Sequence, residues 1–129
     1  MSLRQRPLSP HLQVYRPQLT SVLSILHRAT GIALSLGLLV MSGWVLSLAL
    51  GETAYEFWMW MIDSMLGRLF VAGWLLSLYY HLANGARHLL WDLGYCLELS
   101  AVYQSGRAVV AVSVPVSYTH LTLPTNREV

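Results

Sequence analysis

The chain has 129 residues, 55% of them hydrophobic and only 11% charged, whereas soluble domains carry roughly a quarter of charged residues. That composition belongs to a membrane protein. Since a spanning helix needs about 20 residues plus a connection, at most about three or four spans fit, which excludes large transporters, porin-sized barrels and independent catalytic domains. The formal net charge of +2 comes from eight basic residues, all Arg, against six acids, with no basic run long enough to grip nucleic acid.

Residues 1 to 20 carry Arg4, Arg6 and Arg16 among Pro7, Pro10 and Pro17. Proline fixes φ and removes a donor, so this stretch predicts an extended arm at the membrane surface, held by Tyr15 and Arg16. No apolar segment follows the early arginines, and a cleavable signal peptide is not expected. From Ala29 to Gly51 there is no formally charged side chain. This is a first span, long enough at ~1.5 Å per residue to cross a ~30 Å hydrocarbon core. Small residues recur every fourth position as Ala29, Ala33, Gly37 and as Gly43, Ser47, Gly51, a spacing that lets helices approach closely in lipid.

Residues 52 to 68 mix Glu52, Glu56 and Asp63 with Tyr55, Trp58 and Trp60. The composition predicts an interfacial connection with aromatic rings at headgroup level. A second span starts near Leu69, loses its uncharged character at Arg87 and continues as helix to about Trp91. A third apolar start follows Arg107, but Ser117, Tyr118, Thr119 and His120 interrupt it. The expectation is therefore an all-α transmembrane bundle with spans near 22–50 and 66–91, and an incomplete third beginning near 104. Residues 115–129 are expected to be a divergent or non-native tail. The single cysteine, Cys96, excludes an internal disulfide and is expected as a small buried side chain.

Arg4, Arg6, Arg16 and Arg28 precede the first span, and the following connection holds only Arg68 among its acids. The positive-inside rule then puts the N-terminus on the cytoplasmic side. The second span returns inward, which brings Arg87, His88 and Asp92 to the side of His27 and Arg28. Asp92 is expected to pair with Arg87 or with Arg28, and Gly94 to cap the helix in a left-handed conformation.

His81 lies roughly 18 Å below the outer end of the second span, too deep to snorkel, and needs a partner inside the protein. Gly73, Ser77 and Gly85 lie on its face. Such a row would admit a flat macrocycle with an imidazole nitrogen turned to its iron. The plainer alternative is a histidine hydrogen-bonded to a neighbouring helix, with the small residues serving packing alone. Zinc or copper is disfavoured, because no other histidine stands three or four positions from His81. Ser24 and Arg28 share a helix face beside His27 at the entrance of the first span. A hydroxyl and a guanidinium there could bind a quinone carbonyl, or simply anchor the helix to headgroups.

Two strings go further. The segment from Arg6 through Ser24-Ile25-Leu26-His27-Arg28-Ala29-Thr30, and the segment His81-Leu82-Ala83-Asn84-Gly85-Ala86-Arg87-His88-Leu89-Leu90-Trp91-Asp92-Leu93-Gly94-Tyr95, resemble the cytochrome b subunit of succinate dehydrogenase. That subunit is the larger membrane anchor of succinate:quinone oxidoreductase, respiratory complex II. The resemblance covers about residues 4 to 114, and Ala86 departs from it in replacing a bulkier aliphatic residue. It implies a three-span anchor that is not catalytic alone. His81 would be an axial ligand of haem b, with the second ligand from a small hydrophobic anchor subunit. Ser24 and Arg28 would line the quinone site, and His27, Arg28 and His88 would approach the haem propionates. An iron–sulfur subunit and a flavoprotein complete such complexes, which pass electrons from succinate to quinone in the tricarboxylic acid cycle and respiratory chain. The expected location is the bacterial or mitochondrial inner membrane. A fumarate reductase anchor and a haem-free structural anchor remain alternatives.

Overall fold

The computed structural model describes residues 15–122; the arginines and prolines of residues 1–14 and the end of the chain after Thr122 lie outside them. After Pro17 the backbone is extended at Gln18 (φ −84°, ψ 150°), and helix α1 then runs unbroken from Leu19–Leu50. It stops at Gly51, whose φ of +106° lies in the region that disfavours any side chain. The segment expected as an interfacial connection is itself largely helical, as α2 (Glu52–Asp63). Its one ion pair, Arg68 to Asp63 at 3.8 Å, is well exposed and adds little stability.

Helix α3 (Met65–Asp92) starts at Ser64, whose Oγ accepts the Gly67 amide. The two helices bend by 78° at this break. Gly67 is required there, because a Cβ would collide with the Met61 and Ile62 carbonyls. At the far end Gly94 adopts φ +81°, its amide donates to Trp91 O at 2.9 Å, and the Tyr95 amide donates to Leu90 O at 2.9 Å. This is the Schellman arrangement that satisfies the last carbonyls of a helix, and it bears out the expected cap. The turn it creates carries Cys96, which is exposed with φ 59°. The expectation of a buried cysteine is thus corrected: the chain reverses direction there with nothing packed over it, and only its carbonyl is used, by Trp91 Nε1 at 3.2 Å.

Helix α4 (Leu99–Thr122) starts earlier than position 104 and passes through Pro115. The serines inside it do not end it, because Ser113 and Ser117 turn their hydroxyls back to Val109 O and Ser113 O, at 2.6 Å each. Among the described residues α1 alone is long and apolar enough to cross a membrane, and α3 qualifies only when joined to α2. The reason lies in the C-terminal half of α3, where Tyr79, Tyr80, His81, Asn84 and Arg87 interrupt the apolar pattern.

Helix α3 touches all three other helices and runs antiparallel to α1, with Tyr80 Oη donating to Leu23 O at 2.7 Å near one end and Trp74 against Gly37 further along. Gly37, Gly43 and Ser47 face inward, and the indoles of Trp74 and Trp58 occupy the space that side chains at Gly37 and Gly43 would need. Ala29 and Ala33 of the same small-residue series are exposed. The fully packed centre is small, Leu23, Tyr80 and Val109 where α1, α3 and α4 converge. Leucines along the rest of α1 point outward, Leu39 with 71% exposure. An exterior so apolar suits lipid or the helices of other subunits.

Candidate functional site

His81 reaches across from α3 to the backbone of α1. Its Nδ1 lies 3.1 Å from the His27 carbonyl and 3.2 Å from Thr30 Oγ1. A carbonyl can only accept, so Nδ1 carries a hydrogen, and in the neutral imidazole the lone pair is then on Nε2. Nε2 has no hydrogen-bond partner among the described residues and is not among the buried unpartnered atoms, so it keeps accessible surface. That is the tautomer and orientation in which a histidine binds a metal through Nε2, with its other nitrogen held by a carbonyl. Gly31 allows the approach, since a Cβ there would stand 3.1 Å from His81 Cε1.

His27 lies flat against His81, with ring centroids 3.9 Å apart and planes at 12°. His88 follows at 5.2 Å from His27, and Trp91 meets His88 edge-on at 5.1 Å. The chain thus brings His27, His81 and His88 together; the meeting of His88 with His27 is the one the orientation argument expected, and His81 joins it. The His27 Nδ1 is buried without a partner, and a buried polar atom in that state calls for a group the chain does not supply. Among the described residues no three His, Cys, Asp or Glu side chains converge on a metal position. One oriented imidazole does not hold a bare ion, but it suits a prosthetic group that brings its own equatorial ligands. The residues present therefore fit haem.

The surroundings differ in part from the expected small-residue groove. Gly73 faces open space, whereas a Cβ at Gly85 would meet His27 Cε1 at 3.8 Å, and Ser77 Oγ is engaged by the Gly73 carbonyl at 2.8 Å. Ser24 is half-buried and Arg28 exposed. Their side chains make no hydrogen bond or ion pair to other described residues, so both remain available at the bundle surface. Arg87 behaves differently from its expected pairing with Asp92. It is buried, with 4% exposure, and donates to Asn84 Oδ1 at 3.3 Å, Ser105 Oγ at 3.0 Å and Val102 O at 2.8 Å. Its guanidinium also lies 4.1 Å over the Trp91 ring. Asp92 is exposed and forms no ion pair among the described residues. The correction has a simple cause: α4 packs over the inner face of α3 and offers oxygen acceptors there, while Asp92 falls on the outer face.

Thr30, Gly31 and Tyr80 escaped sequence reasoning as members of this site. Thr30 carried a usable signal, because it stands one turn after His27 and a threonine there can accept from a residue on a facing helix.

The succinate dehydrogenase/fumarate reductase transmembrane subunit family matches residues 2–119. The succinate dehydrogenase cytochrome b556 subunit of Paracoccus denitrificans is 41% identical over 84% of each chain. The cytochrome b560 subunit of Marchantia polymorpha is 45% identical over 78% of this chain and 77% of its own. The b556 subunit of Rickettsia prowazekii is 38% identical over 85% of this chain and 86% of its own. With nearly the whole chain matched, the chain belongs to the succinate dehydrogenase/fumarate reductase transmembrane subunit family.

Proposed function

We propose that this chain is a membrane-anchor subunit of a succinate dehydrogenase, that His81 is an axial ligand of haem b, and that Ser24 and Arg28 bind the quinone. The names of the relatives favour succinate dehydrogenase over fumarate reductase. The observation that carries the site is the His81 imidazole, tethered at Nδ1 to α1 and open at Nε2. Haem, when bound, supplies one-electron storage beside the quinone. The chain's own contributions are binding and orientation. His81 Nε2 would be the ligand atom, His27 stacks on its ring and carries a buried Nδ1 without a partner, and His27, Arg28 and His88 would hold the propionates. Arg28 and Ser24 donate hydrogen bonds to a quinone oxygen and stabilise negative charge as it develops there.

A small hydrophobic anchor subunit would supply the second axial histidine and cover part of the apolar exterior. An iron–sulfur subunit would dock where α1 and α3 bring their arginines and histidines, and deliver electrons from a flavoprotein that oxidises succinate. The excess of arginine before α1 supports an N-terminus on the cytoplasmic or matrix side of the inner membrane. A dithionite-reduced minus oxidised spectrum of the detergent-purified four-subunit complex is the test. A b-type α-band that is lost or displaced in His81→Ala is expected. An unchanged band in that variant would sink the ligand assignment, and an intact complex without haem absorption would reduce the chain to a structural anchor.

A further inference from the structure

The contacts on the far side of the His81 ring assign a function to two residues of α1. We infer that Thr30 and Gly31 are positioning residues for His81: Thr30 fixes the orientation of its imidazole, and Gly31 sets its distance from α1. This inference rests on His81 being the haem ligand.

Thr30 Oγ1 lies 2.8 Å from Leu26 O and 3.0 Å from His27 O. A hydroxyl has one hydrogen, and those carbonyls take it, so toward His81 Nδ1–H at 3.2 Å the oxygen acts as acceptor. The Nδ1–H is thus shared between the His27 carbonyl and Thr30 Oγ1. Two acceptors on one helix define the direction of the N–H and with it the rotation of the ring, where a single carbonyl would leave it free to swing. The threonine oxygen is itself held by two carbonyls of its own helix, so the acceptor is rigid. Gly31 faces the Cε1 edge of the ring: a Cβ at 3.1 Å from Cε1 would push the imidazole away from α1 by a few tenths of an ångström, and His27, stacked at 3.9 Å on the ring face, limits the directions in which it could give way.

The test uses the assembled complex with Thr30→Val, Thr30→Ser and Gly31→Ala. Valine keeps the branched shape and removes the hydroxyl, both its acceptor oxygen toward His81 and its donation to the Leu26 and His27 carbonyls. Haem retention against a haem-scavenging apoprotein, the low-spin electron paramagnetic resonance signal and the thermal midpoint of the complex are read together. Thr30→Val is expected to release haem about tenfold faster, within the range for loss of an outer-shell partner of a metal ligand, and to move the resonance signal, while Thr30→Ser restores both. Gly31→Ala is expected to move the signal as well. Unchanged retention and signal in Thr30→Val and Gly31→Ala, in a complex whose haem is lost in His81→Ala, would overturn this inference and leave the ligand assignment standing. Haem that survives His81→Ala would overturn both. A lowered thermal midpoint in Thr30→Val with retention and signal unmoved would also overturn it, since it would mark a packing role only.

Discussion

Replacing Arg87 with alanine tests what holds α4 against α3. The guanidinium donates to Asn84 Oδ1 on its own helix and to Ser105 Oγ and Val102 O on α4, and it stacks on Trp91. Interhelical hydrogen bonds in membrane proteins are worth about 0.6 kcal/mol each on average. Stranding a buried acceptor costs ~1–3 kcal/mol more, and Asn84 is fully buried with its Nδ2 already lacking a partner. Loss of the ring contact adds about 0.5–1 kcal/mol. Arg87→Ala should therefore lower stability by about 3–5 kcal/mol, concentrated in the docking of α4. Arg87→Lys keeps the charge but not the planar fork, and should show roughly half that loss. The assay is denaturant or thermal unfolding of the complex in detergent, combined with hydrogen exchange. Amides from Val102 to Gly106 should exchange faster in Arg87→Ala, and those around Leu23 to Thr30 should change little. Stability within about 1 kcal/mol of the parent, with α4 exchange unaltered, would refute the role given to Arg87.

Two further outcomes follow from the same geometry. Arg28→Leu should cut quinone reduction by about 100-fold, the scale for losing one preorganised donor, while succinate oxidation by an artificial dye acceptor persists; parallel loss of both activities would point to failed assembly instead. Gly37→Leu should cost about 1–3 kcal/mol and separate α1 from α3, because its side chain must enter the space of the Trp74 indole; an indole fluorescence spectrum and thermal midpoint matching the parent would count against that packing.

Much of this site was readable along the chain because its signals are local. The uncharged run from Ala29 to Gly51 and the depth of His81 mark spans and a polar group that must be satisfied inside them. Arginine placement predicted that the histidine-bearing helix ends meet, and His27 does lie within 5.2 Å of His88. Gly94 was legible as a cap because a left-handed residue at a helix end has few alternatives. Asp92 was misjudged because pairing depends on which face of α3 the next helix covers, and Cys96 because it falls in the exposed turn between α3 and α4; hydropathy alone reveals neither.

Composition, hydropathy and charge asymmetry were thus enough for the helical class and for the meeting of the helix ends that carry His27 and His88. The partners of His81 were decided only by the fold. Thr30 and the His27 carbonyl stand 51 and 54 positions from it, and meet it because α1 and α3 are rotated so that Gly31 and Gly37 face inward and admit the His81 ring and the Trp74 indole. Arg87 likewise became a clamp on α4 instead of a surface cation because α4 lies against it, and Gly106 lets that helix close on α1, where a Cβ would stand 2.9 Å from Leu23 Cδ1. Helix rotation and approach are set by the summed packing of all the elements, so no local stretch of the chain records them.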